Sequence, residues 1–450
     1  MSHPRMLPAC CRRVRELVNG RFEAGERPDR RAGGGGAGYG RVAMGTPAVE
    51  QRLVTVDEIR SARERVAGVL RPTPVDRSET LSGLAGRPVI LKPEQRQRTG
   101  SFKIRGAYNR ISRLPPGTPV VAASAGNHAQ GVALAARLTG HPATILMPVN
   151  APLPKVEATR NYGATVRLEG EAVDDCIAIA KALGEAEGAV FVPPFDDPLI
   201  VAGQGTIGLE LAEEAPDAEA VAVPVGGGGL IAGIAAALEA VRPGTRVIGV
   251  EAAGAPSMRV SLDAGHCVRL HRMTTMADGI ALKSPSPLTL AHVQAYVEDV
   301  VTVGEEEISQ ALLLLLERAK AVVEPSGAAG LAAVLAGKVP GSGPVVAVLS
   351  GGNIDPLLLT KVIDHGLSAA GRYVALRVVV DDRPGTLATL TAEVARLGLN
   401  VLSVEHHRSG LDLDLDKVEI RLTLETRNSI HHGEIVADLE RLGYEVQPIR

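Results

Sequence analysis

Tryptophan is absent from this chain, and phenylalanine and tyrosine number only 4 and 6 among 450 residues. A core built by this sequence must therefore consist of Ala, Val, Leu and Ile. Cysteine is as scarce, with Cys10, Cys11, Cys176 and Cys267. None of the four has a metal-ligand spacing, and a chain this long does not need covalent staples. They read as reduced thiols of a cytoplasmic protein. An excess of either charge is also missing, the formal net charge being -3. That argues against nucleic acid as a main partner. No apolar run approaches the length of a membrane span. The longest, residues 311–316, ends at Glu317 and Arg318. What is plentiful is glycine, 50 residues, and proline, 30, which implies many tight turns. The length leaves room for two or three domains with cores of their own.

Residues 1–43 differ from the rest: they are Arg-rich, contain the tract Gly33-Gly34-Gly35-Gly36 and lack periodicity. They have no apolar centre of the kind a secretory signal requires, and Glu16, Glu23, Glu26 and Asp29 argue against a transit peptide. They read as a disordered extension, or as a mis-assigned start with the true one at Met44. From Val54 to Leu349 strand-like and helix-like runs alternate. Strands are predicted at 88–91, 118–123, 143–147, 165–168, 220–225, 246–251 and 345–349, with helices at 128–138, 155–162, 173–183 and 230–240. This rhythm of Val-rich runs predicts an α/β fold with mostly parallel sheets covered by helices. A composition shift at 366–372 predicts a linker between a domain at 44–365 and another at 373–450. The second reads β-α-β-β-α-β, the ferredoxin-like α+β arrangement.

Three distant segments carry the chemistry. Lys103, in Ser101-Phe102-Lys103-Ile104-Arg105-Gly106, sits in a small and apolar setting at a predicted helix start. Burial there would lower the pKa of its amine; taken alone, it reads as an exposed helix lysine. Ser124-Ala125-Gly126-Asn127-His128 joins a strand to a helix. Its small residues admit a ligand to the backbone, and the free N–H groups of a first helical turn suit a carboxylate. A plain helix cap explains it equally well. Gly226-Gly227-Gly228-Gly229, before Leu230, presents several N–H groups in one concavity suited to phosphate. The same loop, with Glu251 about twenty residues on, meets the loose dinucleotide fingerprint. Ser350-Gly351-Gly352-Asn353 is a fourth strand-to-helix turn. An amine, a carboxylate-sized nest and a phosphate loop together fit pyridoxal 5'-phosphate. A dinucleotide would leave Lys103 and Asn127 without a purpose.

At these residues the chain resembles the pyridoxal-phosphate enzymes of the tryptophan-synthase-β fold group (fold type II). Within that group it is similar to the threonine dehydratases, or threonine ammonia-lyases. The motifs are 97–103, 124–128, the tetraglycine and 350–353, and the resemblance spans Val54 to His365. It implies a two-lobed core with a small lobe, about 90–190, inserted in the large one. It implies that Lys103 binds the cofactor aldehyde covalently and later removes the Cα proton. Asn127 would bond the phenolic oxygen, Gly226, Gly227, Gly228, Gly229 and Leu230 would hold the phosphate, and Ser350 would face the ring nitrogen. Ser124, Ala125, Gly126 and Asn127 would take the substrate carboxylate. The implied reaction is dehydration and deamination of L-threonine, with L-serine as a further substrate. A serine- or 3-hydroxyaspartate-preferring lyase is the alternative enzyme, and a catalytically dead amino-acid sensor the alternative of another class. A neutral Ser350 makes the ring a weaker electron sink, which should favour prompt elimination. Serine racemases share the core, but their second acid/base is a serine where this chain has Ala125. Their cation site is incomplete here, with Glu251 and Ala255 matched but Ser257 in place of a carboxylate, so no metal is assigned.

The tail resembles an ACT domain, with Arg383-Pro384-Gly385-Thr386-Leu387 and Gly398-Leu399-Asn400-Val401 as its ligand edge. The resemblance implies an isoleucine or valine effector touching Gly385 and Asn400, if the enzyme serves branched-chain synthesis rather than threonine catabolism. It also implies a homo-oligomer, dimer or tetramer; a purely structural module is the rival reading. The alternating run 411–416 reads as a charged hairpin edge. His406-His407 and His431-His432 lack metal spacing.

Overall fold

The structure, a computed structural model, describes residues 52–449 apart from 370, 409–413 and 415. The expectations for residues 1–43, for a start at Met44, for Cys10 and Cys11, and for most of the run 411–416 lie outside the described residues. The chain forms two compact units, one ending at Ile354 and the other beginning at Asp355.

In the first unit, β1 (Asp76–Arg77) and β2 (Val89–Lys92) begin a sheet that the chain then leaves. It builds a second sheet from β3 (Val120–Ala123), β4 (Ala143–Met147), β5 (Thr165–Leu168) and β6 (Val190–Phe191). All four are parallel, in the order β5-β4-β3-β6. After the helix Pro198–Glu214 it returns with β7 (Ala220–Pro224), β8 (Arg246–Ala252), β9 (Asp299–Val303) and β10 (Val345–Val348). The first sheet then reads β1-β2-β10-β7-β8-β9, with β1 antiparallel and the rest parallel. The smaller lobe is thus an insertion between β2 and β7.

The scarcity of rings shows in the packing. β7 and β10 are buried along their whole length, so their sequences are unbroken apolar runs instead of alternations with polar residues. The helix Gly229–Val241 is buried from Gly229 through Leu238 and lies between layers, as a helix apolar all round must. Ile90, Val221, Val223, Ile231, Ile234 and Val346 form the centre of the larger lobe. Ile104, Val120, Val132, Ile145 and Met147 form that of the smaller. One ionic network is buried among them. Arg105 donates to Glu94 at 2.8 Å and Glu210 at 2.6 Å, while Lys92 lies 2.7 Å from Glu210 and 3.0 Å from Glu214. Each charge has a partner, as burial requires.

The order of the first sheet reverses between β7 and β10: the chain runs outward from β7 to β9, then crosses back to β10. A crevice outside the carboxyl ends of parallel strands at such a switch is where open α/β sheets bind ligands. Gly226 follows β7, Ser350 follows β10, and Ser124 follows β3 of the smaller sheet.

In the second unit the helix Pro356–Ala369 precedes β11 (Tyr373–Asp381), β12 (Val401–His407), β13 (Lys417–Glu425) and β14 (Glu445–Ile449). That helix occupies the first residues of the stretch expected as a linker. The four strands are antiparallel in the ferredoxin-like order β12-β13-β11-β14. Burial alternates along β11, so Val374, Leu376, Val378 and Val380 share one face. That face joins one core with Leu390 and Val394 of the helix Thr386–Arg396 and with Ile435 and Leu439 of the helix Ser429–Arg441.

Candidate active site

Lys103 opens the helix Lys103–Ile111. The strand end β10 holds the preceding residues: Phe102 N–H donates to the Ser350 carbonyl at 3.2 Å, and Ser101 bridges Gly351. The side chain is half-buried and lines a cavity of about 430 Å³. Its amine donates to the Pro194 carbonyl at 3.1 Å and stands 5.0 Å from the Phe102 ring centre. Burial pushes its pKa down to about 8, against the opposing pull of the Glu324 carboxylate. His128, the second residue of the helix Asn127–Thr139, bonds the Val192 carbonyl at 2.9 Å. Burial, and then the Lys103 charge, pull its pKa down to about 3, so it is neutral beside the lysine.

Asn127 begins the helix Asn127–Thr139, whose N-cap Gly126 offers no side-chain cap. Its amide lies between two partners: Nδ2 donates to Glu324 Oε1 at 2.6 Å, and Oδ1 accepts from Asn353 Nδ2 at 2.7 Å. Glu324 is buried, and burial together with Asp278 pushes its carboxyl up to about 7. The carboxylate fills the place that a Cβ on Gly351 would take.

The helix Gly229–Val241 likewise starts without a side-chain cap, from Gly228 at φ 87°. That left-handed backbone favours glycine. A Cβ at Gly227 would collide with the ring of Phe195, which is itself a cavity wall. The glycines are therefore a close-packed turn at the carboxyl end of β7.

Lys103, Ser124, Ala125, Gly126, Asn127, Leu230 and Ser350 all line the one cavity. Gly226, Gly227, Gly228 and Gly229 are not themselves in its wall; Pro224, Leu230 and Phe195 around them are. These residues fit pyridoxal 5'-phosphate on three counts. An amine of lowered pKa can take an aldehyde. Two helix N-termini without side-chain caps can take a carboxylate and a phosphate. The third is Ser326 Oγ, buried in the same wall without a hydrogen-bond partner. Glu324, Ser326, Lys155 and Asp278, in the same wall, belong to none of the sequence motifs. An acid immediately before the uncharged, wholly buried stretch Pro325–Val334 was the available signal for Glu324.

The other candidates lie elsewhere. Glu251 accepts the backbone N–H groups of Met258 and Arg259, both at 2.8 Å, and burial pushes it up to about 7. It serves the N-terminus of the helix Ser257–Ala264, and Ser257 Oγ is buried without a partner. In the second unit, Gly385 lines a cavity of about 300 Å³ with Arg383, His406 and Arg408. Asn400 lies outside that wall; its Nδ2 donates to Glu425 at 3.2 Å.

Comparison with known proteins agrees with this geometry. A family profile described as pyridoxal-phosphate dependent enzyme matches residues 66–351, and one described as ACT domain matches residues 374–443. An L-threonine ammonia-lyase of Thermotoga maritima is 49% identical over 399 residues, which is 88% of this chain and 99% of that protein. Among solved structures, a threonine deaminase from Solanum lycopersicum (the processed form of isoform 2) is 38% identical with a TM-score of 0.65, covering 70% of this chain and 95% of its own. Maize serine racemase is 37% identical with a TM-score of 0.67, covering 71% of this chain and 99% of its own. No described helix is long and apolar enough to cross a membrane.

Proposed function

The chain belongs to the pyridoxal-phosphate-dependent enzymes and carries a C-terminal ACT domain, and from that premise we propose that it is a lyase converting L-threonine to 2-oxobutanoate and ammonia, with L-serine as a second substrate. The observation that carries the reading is the half-buried amine of Lys103 in one cavity with Asn127, Ser350 and Leu230, the first two at or beside glycine turns and Asn127 and Leu230 in the first turns of two helices without side-chain caps. Pyridoxal 5'-phosphate supplies an aldehyde for the substrate amine and a ring that withdraws electrons from Cα.

The residues do the rest. Lys103 would hold the cofactor aldehyde through Nζ, and its amine is the base at hand for the Cα proton. An amine with a pKa near 8 is a competent base close to neutral pH. The turn Ser124–Asn127 offers backbone N–H groups to the substrate carboxylate, and the turn Gly226–Gly229 offers them to the phosphate. Asn127 would donate to the phenolic oxygen. Ser350, which shares the cavity wall with Ser326, would meet the ring nitrogen with a neutral hydroxyl instead of a carboxylate. Ala125, in the same cavity wall, carries no transferable proton, which supports elimination over racemisation. The β-hydroxyl departs with a proton, and water returns as ammonia is released.

Further parts of the reading concern the catalytic span 44–365, the second domain and the setting. The ACT domain would bind isoleucine or valine near Gly385, with Asn400 on the same edge. The exposed β12 edge, with Leu402 and Val404 outward, supports assembly into a homo-oligomer. Free Cys176 and Cys267 are in keeping with the cytoplasm.

The deciding experiment is keto-acid release by the full chain from threonine, serine and 3-hydroxyaspartate, with and without isoleucine. Threonine should give 2-oxobutanoate and ammonia in equal amounts, and Lys103→Ala should abolish both product and visible absorption band. A protein with no band, or with a band that survives Lys103→Ala, overturns the reading.

A further inference from the structure

We propose that Glu324 is a positioning residue of this site: its carboxylate fixes the amide of Asn127 and balances the amine of Lys103, so that the three side chains act as one unit. The inference deepens the reading above and rests on it.

Three observations carry it. First, nothing local explains where this side chain points. Glu324 occupies the N-cap of the helix Pro325–Leu335, where an acid ordinarily bonds the N–H groups of its own first turn. It makes no such bond. The carboxylate reaches across to Asn127, 197 residues away in sequence.

Second, the direction of the Asn127 amide is determined by its neighbours. Asn353 also donates to the Thr99 carbonyl at 2.7 Å, and a carbonyl can only accept. The atom of Asn353 at that position is therefore nitrogen, so the Asn127 atom facing it is oxygen. That leaves Asn127 Nδ2 towards Glu324, with one hydrogen given to the carboxylate and the second free. The chain Thr99–Asn353–Asn127–Glu324 thus presets the donor expected to meet the phenolic oxygen. Without Glu324 one of its two restraints is gone.

Third, the other charged side chains of the cavity wall are engaged with one another. Lys155 lies 2.8 Å from Asp278, and Asp174 takes both Arg269 and Lys283. His128 is neutral. Glu324, buried, and Lys103, half-buried, are an acid and a base in the wall of the same cavity. Asp278 pushes the Glu324 carboxyl towards its neutral form, while Asn127, Lys155 and Lys103 favour its charge. The carboxylate in turn favours the Lys103 ammonium.

The two roles separate by mutation. Glu324→Gln keeps an acceptor for Asn127 but removes the charge, and Glu324→Ala removes both. Glu324→Asp keeps the charge but loses reach. In the full-length apoenzyme, the pH midpoint for acylation of Lys103 by a succinimidyl ester is read by peptide mass spectrometry. It should fall by about half a unit or more in the Gln and Ala variants and hold in the Asp variant. The cofactor dissociation constant, from absorption titration, should rise about tenfold in the Ala and Asp variants and less than about threefold in the Gln variant. Thermal unfolding of each apoprotein shows which variants fold; if only Glu324→Asp does, its cofactor affinity decides the matter. A Lys103 midpoint within about 0.2 unit of wild type in Glu324→Gln, or an unchanged cofactor affinity in the Ala or Asp variant, overturns the proposal. These outcomes leave the lyase reading standing, because that reading fails on the wild-type chain and on Lys103→Ala.

Discussion

Lys155 Nζ and Asp278 Oδ2 meet at 2.8 Å in the wall of the cavity although 123 residues separate them in sequence. Lys155 belongs to the smaller lobe and Asp278 to the larger. Beside them Asp174 of the smaller lobe accepts from Arg269 at 2.6 Å and from Lys283 at 2.8 Å, both of the larger. Hydrogen bonding from Lys283, more than the charge of Arg269, holds the Asp174 carboxyl below its usual range. The two lobes are thus joined at the cavity by three ion pairs, all partly exposed.

Exposed pairs contribute about 0–1 kcal/mol each and are screened by salt. Asp174→Asn removes two of the three. It should lower the unfolding temperature by about 2 °C. Adding salt should lower the wild-type temperature more than that of the variant. Calorimetry at low and high salt checks both, and equal salt sensitivity would rule out a clasp.

Lys103 should govern how fast the apoprotein recaptures its cofactor. Only the neutral amine attacks an aldehyde, so the rate should rise about tenfold per pH unit below pH 8 and level off above it. The unfolded chain keeps this proton up to the ordinary lysine value of 10.5, and the folded chain only to about 8. Its destabilising effect on the apoprotein is therefore full below pH 8 and fades between 8 and 10.5. Lys103→Met should raise the unfolding midpoint in urea at pH 7 more than at pH 10.

Gly227→Ala should weaken cofactor binding at least about tenfold, because the added methyl collides with Phe195 and displaces the turn. Phe195→Ala in the same chain should restore part of the loss by making room. Absorption titration of the single and double variants checks this, and strict additivity would mean that the two residues do not meet.

Glu94 is buried, and both of its carboxylate oxygens accept from Arg105. Glu94→Ala leaves that guanidinium with Glu210, Thr206 and Thr73. Removing one partner of a buried pair costs roughly 3–5 kcal/mol, so a drop of several degrees in unfolding temperature is expected. A change under about 1 °C would show that Glu210 compensates.

Much of the fold is legible in the sequence because it is periodic. β4 and β5 begin and end where the apolar runs at 143–147 and 165–168 do. The helices at 128–138 and 173–183 extend only a few residues beyond their patterns. The stretch at 366–372 is less legible: its small residues resemble a linker, but the helix Pro356–Ala369 runs into it. Of the site, the residues that belong to a motif could be found. Asn127 and Ser350 sit beside glycines that follow strands, and Lys103 opens a helix after the turn at Gly100; such turns stand out in a sequence. Glu324 does not, because its partner is supplied by another lobe.

Local sequence determined the elements and the identity of the groups that can hold a phosphorylated aldehyde. Those properties depend on neighbours a few residues away: hydrophobic period, glycine freedom, the free N–H groups of a helix start. Tertiary structure decided which charges face one another. It set Glu324 against Asn127, paired Lys155 with Asp278, and pushed the Lys103 amine down to about 8. Burial and Coulomb interaction depend on distances through space, and the order of residues along a chain does not contain them.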